Sequence, residues 1–136
     1  MRHRSSKNRE KILIIEDDPS LQAALVEALS ASGFLTHKAS DGPEGIEVAR
    51  KEGPALILLD LLLPGQSGFE VLRLLKRDEQ LKRIPVIVLT NLGSPEDVDR
   101  ALALGATTFL VKANYEIQDV IEKIRRVLAD PTPRVA

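Results

Sequence analysis

The chain has 136 residues, enough for one domain with one sizeable core, and its 43% hydrophobic and 29% charged residues are typical of a globular protein. It contains no cysteine, which excludes disulfides and thiolate metal sites and favours a cytoplasmic location. The net charge is −1, and no apolar run approaches the roughly 20 residues that span a bilayer, so no membrane segment is expected.

The first eleven residues differ in charge from the rest of the chain. They hold five basic residues and one acidic residue, which leaves 14 basic and 19 acidic residues for the body. An acidic body behind a short basic arm argues against direct nucleic-acid binding. We predict a disordered basic arm over residues 1–10, a single domain over 11–129, and a tail or the start of a linker over 130–136.

The first predicted strand, residues 12–15, is a continuous aliphatic run of the kind that parallel sheets bury on both faces. Asp18 and Pro19 then supply an N-cap and a first helical position, and the helix is predicted to end at Gly33. Residues 34–39 are more polar, which indicates a strand at an edge of the sheet.

The second helix is predicted between two Gly-Pro pairs, at 42–43 and 53–54. A buried strand follows over residues 55–59. Ser67 with Glu70 then has the spacing of a capping box, which predicts the start of the third helix.

The last third of the chain repeats the alternation. A buried strand is predicted over 86–89, and the following helix opens at 94–95 and stops at Gly105. A strand over 109–111 leads to a last helix, whose apolar stripe runs over residues 117–128. The order βαβαβαβαβα predicts an α/β fold, a doubly wound parallel sheet of five strands with five helices.

Polar side chains follow four of the five predicted strands. In a parallel sheet these strand ends share one edge, which is where ligands bind. The residues are Glu16, Asp17 and Asp18 after the first strand, Asp60 after the third, Thr90 and Asn91 at the fourth, and Lys112 after the fifth. Each has an ordinary structural explanation when it is taken singly, and Asp18 is expected to cap a helix. Their joint occurrence indicates a site.

The chemistry of clustered carboxylates indicates which functions this site could have. Close carboxylates repel, and a cation neutralises them. Mg²⁺ accepts one or two carboxylates and bridges to phosphate, and a carboxylate beside it can attack a phosphoryl group to form an acyl phosphate. Lysine would spread the charge on the transferring oxygens, and a threonine hydroxyl could hydrogen-bond the product.

Four motifs, taken together in their order and spacing along the chain, resemble those of the receiver domain of two-component response regulators. The resemblance covers roughly residues 11–129. The motifs are ILIIEDDPS at 12–20, LILLDLLLPGQSG at 56–68, PVIVLTN at 85–91 and GATTFLVKAN at 105–114. The resemblance implies the flavodoxin-like strand order 2-1-3-4-5. It also implies a regulatory phosphoacceptor rather than an enzyme, with at most self-phosphorylation from small donors and self-dephosphorylation.

The same resemblance implies roles for seven residues. Asp60 is the phosphorylated residue and, with Asp17 and the backbone carbonyl of Leu62, binds Mg²⁺ or Mn²⁺, while Glu16 contributes indirectly. Thr90 and Lys112 bind the phosphoryl group, and Phe109 is the switch residue. The donor is a phosphohistidine on a sensor histidine kinase or a phosphotransfer protein. The downstream effector is unknown, and its contact surface is the face of the fourth and fifth helices with the last strand.

Three departures from the family pattern modify these expectations. Lys112 precedes Ala113 rather than proline, so we predict a trans bond and an altered loop, or else a retained, strained cis bond that costs about 3–4 kcal/mol. Phe109 has no hydroxyl to hydrogen-bond in an exposed state. Thr107 and Thr108 replace acidic residues that support dimers in DNA-binding members, so we expect a monomer or a weak dimer.

Two leucines lead to a kinetic prediction. Leu62 and Leu92 lie two residues after Asp60 and Thr90, where family members often place polar groups near the attacking water. Apolar side chains can neither orient nor activate that water, which predicts a long-lived phosphoryl group.

Three alternatives remain open at the level of sequence. The chain could be a receiver-like interaction module that is not phosphorylated. It could be a metal-dependent phosphatase with an aspartate nucleophile, although such enzymes usually place a second Asp where Leu62 stands. It could also be a flavodoxin-like electron carrier, although three Phe and one Tyr offer few rings for stacking on a flavin.

Overall fold

The computed structural model describes residues 9–91 and 94–130. Within them the chain alternates strands and helices in the predicted order. The strands are β1 (Lys11–Ile15), β2 (Leu35–Ala39), β3 (Leu56–Leu59), β4 (Val86–Thr90) and β5 (Thr108–Val111). The helices are α1 (Pro19–Ala31), α2 (Gly42–Glu52), α3 (Gly68–Arg77), α4 (Pro95–Ala103) and α5 (Ile117–Ala129). A single 3₁₀ turn, Lys112–Asn114, separates β5 from α5.

The five strands form one parallel sheet in the order β2-β1-β3-β4-β5. This confirms the predicted fold class and strand order. Strand bounds differ from the prediction by one residue at several ends: β2 and β3 begin one residue later than predicted, and β5 begins one residue earlier. β2 is the most exposed strand and lies at an edge, as its polar composition predicts.

Helices cover both faces of the sheet, and the aliphatic runs of β1, β3 and β4 are buried between them. Helices α2, α3 and α4 pack on one face, and α1 and α5 pack on the other. Successive residues of a strand point to opposite faces, so a strand covered on both sides has no place for polar residues until it ends. None of the described helices is long and apolar enough to cross a membrane.

The helix starts agree with the sequence at Asp18 but not fully at Ser67. Asp18 caps α1 by accepting from the backbone amides of Ser20 and Leu21. Ser67 caps α3, but the predicted capping box with Glu70 is wrong, because the Glu70 carboxylate pairs with the Arg73 guanidinium instead. An arginine three residues further along a helix is a stronger partner for a carboxylate than a neutral amide.

Candidate functional site

The register of the sheet brings two carboxylates to the same level at its carboxyl edge. Ile15 of β1 pairs with Leu59 of β3, and Glu16 and Asp60 are the next residues on these adjacent strands. Both acids are buried, with 3% and 4% of their surfaces exposed. Two carboxylates in this position repel each other and require a positive group.

Lys112 supplies that positive group. It follows β5 directly, and its Nζ lies 3.0 Å from Glu16 Oε1 and 3.0 Å from Asp60 Oδ2. Charge-assisted hydrogen bonds of this length are among the stronger polar contacts in proteins. The lysine therefore joins the ends of three strands at one point.

Burial and charged hydrogen bonds together set the pKa values of Glu16 and Lys112. Loss of water around the Glu16 carboxyl raises its pKa above the ordinary value of 4.5, and the Lys112 ammonium opposes that rise only in part. Burial alone would lower the pKa of Lys112, but its hydrogen bonds to Asp60 and Glu16 together raise it. Lys112 is therefore fully charged near neutral pH.

Asp17 extends the cluster towards solvent. Its side chain is exposed, and one oxygen from each of Glu16, Asp17 and Asp60 lies within 4.8 Å of the other two. Three carboxylate oxygens at this spacing fit a hard divalent cation such as Mg²⁺ or Mn²⁺. Asp18 does not belong to the set, because its carboxylate caps α1.

The loop after β3 is held close to Asp60. The Leu62 amide donates to Asp60 Oδ1 at 3.0 Å, and the Gly68 amide donates to the Leu61 carbonyl at 2.9 Å. A side chain at Gly68 would collide with the backbone of Asp60 and Leu61, so only glycine allows this approach. The Leu62 side chain itself points outward and is 51% exposed.

Thr90 and Phe109 lie on the two strands beyond β3. Thr90 ends β4, is fully buried and pairs in register with Val111, the residue before Lys112. Phe109 on β5 pairs with Val88 and is partly buried against the core beneath α2, α3 and α4. Thr90 therefore lies at the same edge as the charged cluster, whereas Phe109 lies further back along its strand.

The structure thus brings Glu16, Asp17, Asp60 and Lys112 into one cluster, with the Leu62 backbone beside it. The bond between Lys112 and Ala113 is trans, which is the first of the two alternatives that the sequence left open, and the 3₁₀ turn begins there. Leu92, the second residue of the kinetic prediction, lies outside the described residues.

One residue at this edge was missed by the sequence analysis. Gln22 of α1 is buried, and its side-chain amide reaches the backbone carbonyl of Glu16. The available signal was its position, because Gln22 shares the buried helix face of Leu25 and Leu29. A polar residue on an apolar stripe indicates a specific partner.

Comparison with protein families gives one match over most of the chain. Residues 12–125 match the family model of the response regulator receiver domain. Relatives include the DNA-binding dual master transcriptional regulator RpaA of Synechocystis sp., which is 36% identical over 128 residues, 93% of this chain and 53% of RpaA. The sporulation initiation phosphotransferase F of Bacillus subtilis is 31% identical over 88% of this chain and 94% of its own length.

Solved structures give the same result. The chemotaxis response regulator CheY4 of Vibrio cholerae superposes with a TM-score of 0.82 at 29% identity, over 88% of this chain and 99% of CheY4. A CheY-like receiver domain protein from Methanospirillum hungatei reaches a TM-score of 0.84 at 26% identity, over 90% of this chain and 96% of its own. The chain spans about half the length of RpaA and the other transcriptional regulators that it matches.

Proposed function

This chain belongs to the response regulator receiver domain family of two-component signalling, and from that premise we propose that it is a phosphoacceptor switch with Asp60 as the phosphorylated residue. Receiver domains are regulatory rather than catalytic. The proposal is carried by one observation, the Lys112 ammonium that bridges two buried carboxylates, Glu16 and Asp60, at the carboxyl edge of the sheet.

The proposed chemical step transfers a phosphoryl group from a histidine nitrogen to the Asp60 carboxylate. An oxygen of the Asp60 carboxylate attacks the phosphorus of a phosphohistidine, the P–N bond breaks, and its electron pair passes to the imidazole nitrogen. The product is an acyl phosphate and a histidine that takes up a proton. Before the step, Lys112 and the Leu62 amide each hold one of the two Asp60 oxygens.

The acidic residues have the composition of a Mg²⁺ or Mn²⁺ site. Asp17, Asp60 and the backbone carbonyl of Leu62 would hold the ion, and Glu16 would act indirectly. When bound, Mg²⁺ neutralises charge on the phosphoryl oxygens. Glu16 also accepts from the backbone amide of Asp18 at 3.1 Å, which keeps its carboxylate turned towards the cluster.

Thr90, Lys112 and Phe109 would connect phosphorylation to the surface. The Thr90 hydroxyl and the Lys112 ammonium bind the new phosphoryl group, so both side chains change partners when it arrives. Phe109 then moves between its partly buried position and an alternative one. Phosphorylation thereby shifts a two-state equilibrium of the face formed by α4, β5 and α5, where an effector would bind.

The partners follow from this chemistry. The donor is a sensor histidine kinase or a phosphotransfer protein, and the effector is unknown. We propose that residues 11–129 form the receiver unit and that 1–10 and 130–136 flank it. We also propose a cytoplasmic location. The chain acts as a monomer or a weak dimer and contacts neither membrane nor nucleic acid directly. The interaction-module, phosphatase and electron-carrier alternatives are not favoured.

The experiment is phosphorylation by acetyl phosphate with Mg²⁺, followed by intact-mass spectrometry. We expect the mass of one phosphoryl group on the wild type, lost on adding EDTA before the donor and lost in Asp60→Asn. Asp18→Asn is the matched control, because Asn is also a good N-cap and Asp18 lies outside the acidic cluster. No adduct on the wild type, or an adduct that persists in Asp60→Asn, contradicts the proposal.

A further inference from the structure

Gln22 is a buried polar residue on an otherwise apolar helix face. It shares that face of α1 with Leu25 and Leu29, and 8% of its surface is exposed. Burial of a primary amide costs free energy unless the amide is hydrogen-bonded. A glutamine at this position therefore depends on specific partners.

Its partners are two backbone carbonyls at the ends of neighbouring strands. Gln22 Nε2 donates to the carbonyl of Glu16 at 2.8 Å and to that of Ala39 at 3.1 Å. The Ala39 carbonyl also accepts from the Glu16 amide at 3.0 Å. The paired ladder of β1 and β2 ends at Ile15 and Ala39, so the glutamine extends it by one step into the site.

The Glu16 carbonyl belongs to the peptide unit that leads into Asp17. Because a peptide unit is planar, the orientation of this carbonyl fixes the direction in which the chain enters Asp17. Asp17 is exposed, and its carboxylate accepts no hydrogen bond from any residue that the structure describes. The backbone, rather than a side-chain contact, therefore aims Asp17 at the cluster.

We propose that Gln22 is a positioning residue for the metal site, because it holds the Glu16–Asp17 peptide unit in the orientation that directs Asp17 towards Asp60. The inference rests on the proposed function, since it takes Asp17 as a ligand of the ion. Residues that orient metal ligands without touching the metal typically change metal affinity by about 10–100-fold when they are replaced.

The test is Gln22→Met, which keeps the side-chain length and removes both N–H donors. We expect the Kd for Mg²⁺, measured from backbone amide shifts in an NMR titration, to rise about tenfold. The Glu16 carbonyl ¹³C shift should move as well. Gln22→Asn, which keeps the amide but shortens its reach, should raise the Kd in the same direction and serves if the first variant does not fold.

The matched control is Leu29→Val, on the same helix face but two turns further from the edge. It should lower the melting temperature while leaving the Kd for Mg²⁺ and the Glu16 carbonyl shift unchanged. An unchanged Kd in a folded Gln22 variant overturns the positioning role alone. A wild type that does not bind Mg²⁺ overturns the proposed function, and the positioning role with it.

Discussion

Lys112 is the residue on which the charge balance of the site depends. Its replacement by Met leaves Glu16 and Asp60 buried together without a positive partner. We expect Lys112→Met to lower the free energy of unfolding at pH 7 by roughly 1–3 kcal/mol, the cost of leaving buried polar groups unpaired. Mg²⁺ should restore part of this loss because it neutralises the same carboxylates. Urea unfolding with and without Mg²⁺ measures both effects.

Lys76 provides the control for this experiment. It is also partly buried, and burial lowers its pKa, but its Nζ donates to the backbone carbonyls of Lys82 and Ile84 rather than to carboxylates. Lys76→Met should therefore lose stability that Mg²⁺ does not restore. Equal recovery of the two variants by Mg²⁺ would contradict the assignment of Lys112 to the charged cluster.

Leu62 is the residue that should govern how long the phosphoryl group lasts. Its exposed apolar side chain beside Asp60 cannot orient the water that hydrolyses an acyl phosphate. We expect Leu62→Asn to accelerate hydrolysis about tenfold, less than the roughly 10²–10⁴-fold that a positioned acid–base group gives, because an amide orients water without taking its proton. Loss of the phosphoryl mass with time measures the rate.

Leu35→Asn is the control, since Leu35 is another exposed leucine, on the edge strand β2. Its hydrolysis rate should equal that of the wild type. Rapid hydrolysis in the wild type that Leu62→Asn leaves unchanged would show that the leucine does not protect the phosphoryl group.

At the scale of elements, the close approach of α3 to the end of β3 should be the least tolerant packing contact. A Cβ at Gly68 would strike the backbone of Leu61 and Asp60, whereas a Cβ at Gly45 of α2 meets only the Ile15 side chain, with Ile15 Cδ1 at 2.5 Å. We expect Gly68→Ala to cost about 2–3 kcal/mol and Gly45→Ala about 1 kcal/mol, because a side chain yields more readily than backbone. Urea unfolding of both variants measures the two losses in stability. A larger loss for Gly45→Ala than for Gly68→Ala would contradict this explanation.

The ends of α2 and α3 are joined by an ion pair whose effect depends on pH. Arg50 donates to Asp78 Oδ2 from Nε at 3.1 Å and from Nη2 at 2.7 Å, and this bond lowers the pKa of Asp78 below its ordinary value of 3.8. A carboxyl group whose pKa is lower in the folded than in the unfolded chain stabilises the fold at pH values above its unfolded-state pKa. This stabilisation is lost as the pH falls through its folded-state pKa. Asp78→Asn should therefore lower the melting temperature by a few degrees at pH 5–7.

The difference between Asp78→Asn and the wild type should close as the pH falls below about 3.8. Glu79→Gln is the control, because the Glu79 side chain is 87% exposed and pairs with Lys82 at the surface. Its melting temperature should follow the wild type at every pH. A difference for Asp78→Asn that persists unchanged at pH 3 would contradict the ion-pair explanation.

The elements themselves could largely be predicted from the sequence, because β1, β3 and β4 are uninterrupted aliphatic runs and Asp18 is a clear cap. The choice between competing hydrogen-bonding partners could not be predicted in this way. Glu70 has the spacing of a capping box, yet it pairs with Arg73, and only the folded helix decides between the two. Gln22 was missed because hydrophobic periodicity counts apolar positions and disregards a buried polar one.

The charged site could likewise be predicted from the sequence only in part. Parallel strand order places Glu16, Asp60 and Lys112 at one edge, and this follows from the predicted topology. That one ammonium would lie 3.0 Å from both carboxylates follows from side-chain conformations that no sequence pattern specifies. The location of these residues at one edge of the sheet could therefore be predicted, whereas the contact of Lys112 with both carboxylates could not.

At the scale of the whole molecule, Mg²⁺ should raise thermal stability because only the folded chain brings the three carboxylates together. At ten times the Kd, a single site contributes about 1.4 kcal/mol, which corresponds to a rise of about 5 °C in the melting temperature. Calorimetry with increasing Mg²⁺ measures the shift, and EDTA should reverse it.

Asp17→Asn should lose most of the shift in melting temperature, whereas Asp18→Asn should retain it. Asp17 offers an oxygen to the cluster, and Asp18 caps α1. A full shift in Asp17→Asn would mean that the ion stabilises the protein from another place.

The order of the strands along the chain has a consequence for biosynthesis. A ribosome makes Glu16, Asp17 and Asp60 before Lys112, and Lys112 follows β5, the last of the five strands of the described sheet. A nascent chain that lacks β5 carries the carboxylates without the lysine that balances them. The proposed phosphoacceptor site should therefore be complete only after β5 and Lys112 have been made.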